Sequence, residues 1–210
     1  LFDQERSLSY LRLTGKDLNG FIDAASFTIS FQTQGEEQLR VNGGGTKSLA
    51  DVDLSTLGFD LQFESDSPIG RLVYGVDYYH DWVESDASNN PIQGAVADDS
   101  SYDLFGVFLQ DQLDVGERLH FVVGGRYTHA RADAGKFRDA ATGAQQSFSD
   151  AWDNFSGNLR GMVDLDDQDR FQLFGGISQS FRSPNLSDLS RSDIALSGQV
   201  EVPSPGLSPE

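Results

Sequence analysis

Apolar and polar residues alternate with a period of two along most of this chain, and that rhythm restricts its fold more than any other feature. In "ASFTISFQTQ", Phe27, Ile29 and Phe31 share one face, and Thr28, Ser30 and Gln32 share the other. "TLGFDLQFES" sets Leu57, Phe59, Leu61 and Phe63 against Gly58, Asp60, Gln62 and Glu64. The same pattern places Leu72, Tyr74, Val76 and Tyr78 together, and likewise Leu119, Phe121, Val123 and Tyr127. Further on, Phe155, Leu159 and Val163 oppose Asn154, Ser156, Asn158 and Arg160. Side chains of a strand point alternately to its two faces, so these are strands with one apolar face and one wet face. Helical 3.6-residue spacing is hard to find.

About eight strands are expected, near 5–13, 25–36, 54–64, 70–83, 102–113, 118–130, 153–164 and 169–181. Most are roughly 10 to 14 residues long, whereas strands of water-soluble domains usually run about 5 or 6. Tight turns at "ESDSPIG", "DVGE" and "DLDDQD" separate longer links near 37–53, 84–101 and 131–152. In an antiparallel up-and-down meander, every second connection lies at the same end. Short turns at one end and long loops at the other are how outer-membrane β-barrels are built. A β-sandwich explains alternation equally well, since a packed core and a lipid tail both select apolar side chains. Strand length, loops alternating in phase and aromatics at strand ends ("YYHDW") favour the membrane barrel.

Composition narrows the function. With 33 acidic against 15 basic residues the net charge is -18, so nucleic acid is not an expected partner. There is no cysteine, hence no disulfide framework or thiolate metal site. No Gly-x-Ser-x-Gly elbow, His-Glu-x-x-His helix or P-loop is present, and no enzyme is expected. Of the three histidines, His120 and His129 share a strand but face opposite sides, so no metal or other cofactor site is expected. "DLDDQD" lacks the glycine and closing glutamate of a calcium loop, and "NGGGTKSLADVD" reads as an exposed flexible loop. The opening "LFDQERSLSY" lacks the pattern of a signal peptide, and both ends read as interior sequence, so a section of a longer protein is expected.

"LFGGISQSFRSPNLSDL" starts as a strand and stops at Pro184, which has no N–H to extend a ladder. "FRSPNLSDL" resembles the Phe-Arg-Ala-Pro-x-Leu-x-Glu-Leu segment of TonB-dependent outer-membrane receptors, with Ser183 for Ala and Asp188 for Glu. "VPSPGLSPE" is similar to that family's Asn-Pro-x-Leu-x-Pro-Glu box, with Ser204 for Asn. "YGVDYYHDWVES" and "GVFLQDQLDVGERLHFVVGGRYTHARAD" look like its successive barrel strands. The resemblance covers about residues 5–210.

The resemblance implies an all-β, partial transmembrane barrel over residues 1–210, about eight strands of roughly 22, without the plug domain or the later strands. It implies outer-membrane lipid around the barrel, and in the intact protein a plug and the TonB energy-transducing complex. The cargo would be a scarce nutrient such as a ferric siderophore or cobalamin. Family haem receptors carry a histidine between the two boxes, and the interval here has none. Phe181, Arg182, Pro184, Asn185, Leu186, Pro205, Leu207, Pro209 and Glu210 are expected to shape the extracellular rim, with Phe181 the last outward-facing aromatic of its strand. Arg126 and Arg160, with Asp60, Asp77, Asn158 and Gln172, are expected along a watery lumen, and Tyr79 and Asp81 nearer the outer rim. The rival reading is a secreted or surface β-sandwich acting as an adhesion module, in which Phe121, Phe155 and Leu173 would lie between two sheets.

Overall fold

In the computed structural model the alternating segments form strands, and eight of them pair side by side in chain order. These are β1 (Phe2–Lys16), β2 (Ala24–Val41), β3 (Lys47–Ser67), β4 (Gly70–Ala87), β5 (Asp98–Val115), β6 (Leu119–Arg138), β7 (Gln145–Asp164) and β8 (Gln172–Ser178). All neighbours are antiparallel in one open sheet. A short helix, α1 (Leu186–Ser190), and a two-residue pair, β9 (Asp193–Ile194) with β10 (Val200–Glu201), follow. The structure describes residues 1–210 except 19, 42, 69, 167–169 and 195–199. The end of the turn read at "DLDDQD" and the middle of the interval between the two proline boxes lie outside the described residues.

Register carries the alternation across the whole sheet. Leu13 is opposite Phe27, Phe27 opposite Leu61, Leu61 opposite Val76, Val76 opposite Val107, Val107 opposite Tyr127 and Tyr127 opposite Phe155. Directly opposed residues share a face, so one apolar face runs unbroken over seven strands. Among the described residues nothing packs over it: Phe155 is 75% exposed, Leu173 63% and Val107 40%. A sandwich would have buried these side chains, so that reading is excluded by a single sheet with one bare face.

The apolar segment also drifts along the strands. On β2 and β3 it reaches Phe31 and Leu57, in the row that further on holds His80, Asp103 and Arg131. On β7 and β8 it reaches the opposite end, at Val163 and Leu173. A band of constant height crossing staggered, tilted strands produces this drift.

The opposite face carries the core. Val83, Ala130, Ala132, Ala134, Phe137 and Trp152 are buried there with Ala97, under Leu186 and Leu189 of α1. Three alanines at every second position of β6 leave room for the helix to approach. We call this side the covered face.

Strand lengths depart from expectation. β3 and β4 run over Lys47–Ser67 and Gly70–Ala87, and β7 over Gln145–Asp164. The links read near 37–53 and 131–152 are largely strand, the one near 84–101 is strand only at its two ends, and Lys47–Asp53 of the supposed glycine-rich loop belongs to β3. The apolar rhythm fades in those extensions, yet the ladder continues, and Ala132, Ala134, Phe137 and Trp152 within them join the buried cluster. β8 is instead shorter than expected, ending at Ser178, because its outer edge has no neighbouring strand.

Candidate functional site

The two proline boxes meet. Arg182 and Glu210 exchange both backbone hydrogen bonds, N–H to O at 3.0 Å in each direction, so the end of the second box pairs with the start of the first. The Ser204 amide donates to Leu189 O at 2.8 Å, hanging the second box from the C-terminal turn of α1. Arg182 Nη2 donates to Asp188 Oδ2 at 2.8 Å, and its guanidinium also lies 4.0 Å from Glu210 Oε2.

Residues 185–190 fold locally as a capped helix. Asn185 is the N-cap: its Oδ1 accepts from Asp188 N at 2.8 Å, and Asp188 Oδ2 accepts from Asn185 N at 3.1 Å. This is a capping box closed by Asp188 in place of the usual Glu. Leu186 and Leu189 then fall on one side of the turn and enter the covered face.

Placement of the box is a correction to the rim expectation for Phe181. The alternation of β8 stops three residues earlier, and Phe181 turns to pack against the buried cluster instead of facing outward. Pro184 and Leu186 are buried as well, whereas Arg182, Asn185, Pro205, Leu207 and Glu210 stay exposed and Pro209 is half-buried.

Polar side chains fix the segment to the β4–β5 connection. Gln93, fully buried, donates through Nε2 to Ser190 O at 3.0 Å and accepts from Arg138 N at 2.6 Å through Oε1. The Ala97 amide donates to Ser190 Oγ at 2.9 Å, Ser192 N donates to Ala95 O at 3.0 Å, and Tyr102 Oη and Ser183 Oγ lie 2.6 Å apart. Buried polar groups stay buried only when paired, and each of these is. Sequence reasoning missed Gln93, Ser190 and Ala97, and nothing in their local sequence marks them. The Asn185/Asp188 spacing was the available sign of α1.

Further from this end, Arg126 and Asp77 form a two-pronged pair, Nη1 to Oδ1 and Nη2 to Oδ2 both at 2.7 Å, while Arg126 Nε donates to Thr128 at 3.2 Å. The guanidinium crosses over Gly106, where an added Cβ would lie 1.9 Å from Nη2, so only glycine permits this contact. Asp60 is opposite Asp77, which places a second carboxylate in the same row. Arg126 and Arg160 border one depression of about 280 Å³ that also includes Gln110, Asn158 and Ser178. Gln172 donates to Asp164 at 2.8 Å instead of joining them. Tyr79 lies over Gly58, and Asp81 accepts from Thr56 at 2.6 Å, both between the Arg126 pair and α1. The residues expected on one polar wall do share the covered face, but as separate clusters.

The bare face ends in a motif that appears twice. Tyr78 Oη donates to Asp103 at 2.5 Å, with His80 Nδ1 2.6 Å from the same oxygen. One hairpin on, Tyr127 Oη donates to Asp153 at 2.5 Å, with His129 Nδ1 2.8 Å away. In each case Tyr-x-His on one strand faces an aspartate of the next. The pattern is visible in "YYH" and "YTH", but the partner carboxylate requires the register. His120 faces the other way, toward Asp114 and Asp164, at 2.6 and 3.0 Å.

Comparison with known proteins agrees with this architecture. The family model described as "TonB dependent receptor-like, beta-barrel" matches residues 2–210. Similar solved structures include a copper transporter, OprC (TM-score 0.74, 18% identity, 90% of this chain and 34% of that one). Another is the Serratia marcescens hemophore receptor HasR in complex with its hemophore HasA and heme (TM-score 0.74, 18% identity, 99% and 35%). A third is the FrpB iron transporter of Neisseria meningitidis (TM-score 0.61, 16% identity, 87% and 30%). The chain spans about a third of the length of these structures. No curated protein matches.

Proposed function

The chain belongs to the TonB-dependent receptor β-barrel family, and from that premise we propose that it is one section of the wall of an outer-membrane receptor importing a scarce nutrient. Barrels of this family are outer-membrane proteins. The bare face then meets lipid, and the covered face looks into the lumen. The observation that carries this reading is the register: it aligns apolar side chains over seven strands on a face that none of the described residues covers. An exposed apolar surface of that extent needs an apolar solvent, and only a closed strand ladder can enter one.

On this reading the end bearing the connections 42–46, 88–97 and 139–144 is extracellular, and the tight turns are periplasmic. The paired proline boxes with α1 stand inside the extracellular mouth. Arg126, Asp77 and Arg160 lie deeper, where a plug domain or passing cargo would contact them. Energy would come from the TonB complex acting on the plug, since a wall of strands has no motor of its own.

The cargo we favour is a metal-bearing chelate such as a ferric siderophore, with cobalamin next. Copper, heme and iron stand in the descriptions of the similar structures. Heme is the least supported, because residues 185–202 contain no histidine to hold its iron.

The test is growth of iron-restricted cells in which the intact receptor is the sole uptake route, supplied with a panel of ferric siderophores. A parallel arm uses cobalamin in a cobalamin-requiring strain. Growth that needs both the receptor and TonB supports the reading. Growth on every compound that is indifferent to deleting the receptor contradicts it.

A further inference from the structure

Asp111 of β5 is out of place on the bare face. Leu109 and Leu113 flank it along the strand, Leu72 of β4 stands opposite on one side and Val123 of β6 on the other. Its Oδ1 is shielded from solvent and, among the described residues, accepts no hydrogen bond. An ionisable group set in apolar membrane surface is costly and rare, so one that persists there points to a function. The carboxyl leans toward Gly70 at the start of β4, where an added Cβ would lie 3.0 Å from Oδ1. That is the end of the sheet with the tight turns, read above as periplasmic.

Beside Asp111 the surface is hollow. A depression of about 540 Å³ is bordered by Asp111, Leu113, Val123, Gly125, Tyr127 and Phe155. Gly125 stands directly opposite Gly157 of β7, so two neighbouring strands carry no side chain in the same row. Neither glycine has a positive φ, and an added Cβ would meet nothing closer than 3.9 Å at Gly125 or 3.5 Å at Gly157. Gly106, by contrast, is required by the Arg126 guanidinium that crosses it. Among the described residues nothing asks for glycine at 125 and 157, and the space they leave is open to whatever lies outside the sheet. Rows of opposed residues also climb across the strands: the row of Leu57 on β3 has left the apolar band by Arg131 on β6. The hollow from Asp111 past Gly125 to Gly157 therefore runs from the periplasmic boundary toward the middle of the band.

We propose that this hollow seats one phospholipid of the surrounding membrane, its primary ammonium headgroup at Asp111 and one acyl chain along Gly125 and Gly157. An unpaired carboxylate oxygen at the edge of apolar surface is matched by a cationic N–H donor, and hydrogen bonds of that kind are stronger than neutral ones. A primary ammonium offers three N–H hydrogens, whereas a quaternary ammonium has none. The paired rings of Tyr127 and Phe155, 4.9 Å apart, wall the trench on one side, and Val123 with Leu159 on the other. A protein partner fits less well, because specific protein interfaces cover roughly 800 Å² per partner and this trench is a single row of side chains wide.

This inference rests on the bare face meeting lipid, as the proposed function has it, and its test separates the two. The intact receptor is reconstituted in bilayers of equal phosphatidylethanolamine and phosphatidylcholine, released, and its retained lipids are identified by native mass spectrometry. Asp111→Asn keeps the shape of the side chain and removes its charge. Gly157→Leu fills the trench at a distance from the carboxyl. The wild type should retain phosphatidylethanolamine over phosphatidylcholine by about tenfold, as one charge-assisted hydrogen bond allows. Asp111→Asn should bring the two lipids close to parity, and Gly157→Leu should lower retention of both. Equal retention of the two lipids by the wild type, a preference unmoved by Asp111→Asn, or retention unmoved by Gly157→Leu overturns the site. A second polypeptide held by the wild type and lost from Asp111→Asn overturns it in favour of a protein partner. In each of these cases bilayer insertion and TonB-dependent growth would leave the receptor reading standing. A receptor that does not enter bilayers removes that reading, and the lipid site with it.

Discussion

The two faces of the same strands are stabilised by different surroundings. On the bare face, large side chains such as Phe155 and Leu173 are mostly exposed, and among the described residues no segment returns to cover them. On the covered face the wall is mostly polar, yet the buried cluster sits there, made of four alanines, Val83, Phe137 and Trp152 under Leu186 and Leu189. The apolar face is thus not the core, and the core is not on the apolar face. In a water-soluble sheet the two coincide. Their separation is the physical mark of a wall between lipid and water.

Breaking the covered side is expected to have the largest effect. Leu189 is fully buried, so Leu189→Ala should weaken docking of α1 by about 2–5 kcal/mol. Hydrogen exchange would then accelerate at Ala97, whose amide donates to Ser190, and at Ser192. If exchange there is unchanged, α1 is not held by the cluster.

A charge on the bare side comes next. Val107→Arg, in the middle of the apolar band, should destabilise the intact receptor in a bilayer by about 2–4 kcal/mol. Ser156→Arg, on the covered face, should cost far less. Denaturant unfolding in lipid vesicles measures both, and equal penalties would erase the distinction between the faces.

The polar clasp is expected to contribute less. Gln93→Ala leaves the buried Ser190 O and the partly buried Arg138 N without this partner, at a cost of about 1–3 kcal/mol. Loss of protection confined to residues 88–97 and 185–192 would locate the effect, and uniform destabilisation of all strands would contradict it.

How much of this was legible beforehand follows from which groups meet which solvent. Strands announce themselves where one face is apolar, as in Leu57 to Phe63, and there the expected strand lay within β3. Beyond the band, "QGEEQLRV" and "KSLADVD" lose the strict alternation, although Val52 still packs against the buried cluster, so strand pairing continues with little trace in hydropathy. The boxes were legible as motifs, and Pro184 rightly marked a break. Their mutual pairing through Arg182 and Glu210, and the inward turn of Phe181, depend on contacts between residues far apart in the chain. Gln93 illustrates the limit: its role lies wholly in Ser190 and Arg138, 97 and 45 positions away.

The smallest predicted effect concerns pH at the mouth. Burial pushes the Asp98 carboxyl up, but the Ser85 amide, Lys136 and the Asp99 amide together hold it below its ordinary value. A lowered folded value stabilises above the ordinary aspartate range and is lost as pH falls through the folded value. Acidification through that window should therefore loosen the β4–β5 connection, read as faster exchange at Ser85, which donates to Asp98 at 3.0 Å. Lys136→Met should raise the pH at which this loosening begins. An onset unmoved by that change would remove Lys136 from the account.

The central claim, that the bare face meets lipid and the covered face meets water, is tested most directly by spin-label accessibility. This section has no cysteine, so it adds no native thiol to compete with single cysteines placed in it. Labels at Val76, Val107 and Leu159 in bilayer-embedded protein should collide preferentially with oxygen, which concentrates in lipid. Labels at Thr128, Asn154 and Ser156 should collide preferentially with a water-soluble nickel chelate. Alternation of the two along β7, in step with its odd and even positions, is the predicted result. Nickel access at Val107 and Leu159 equal to that at Thr128 and Ser156 would contradict the account.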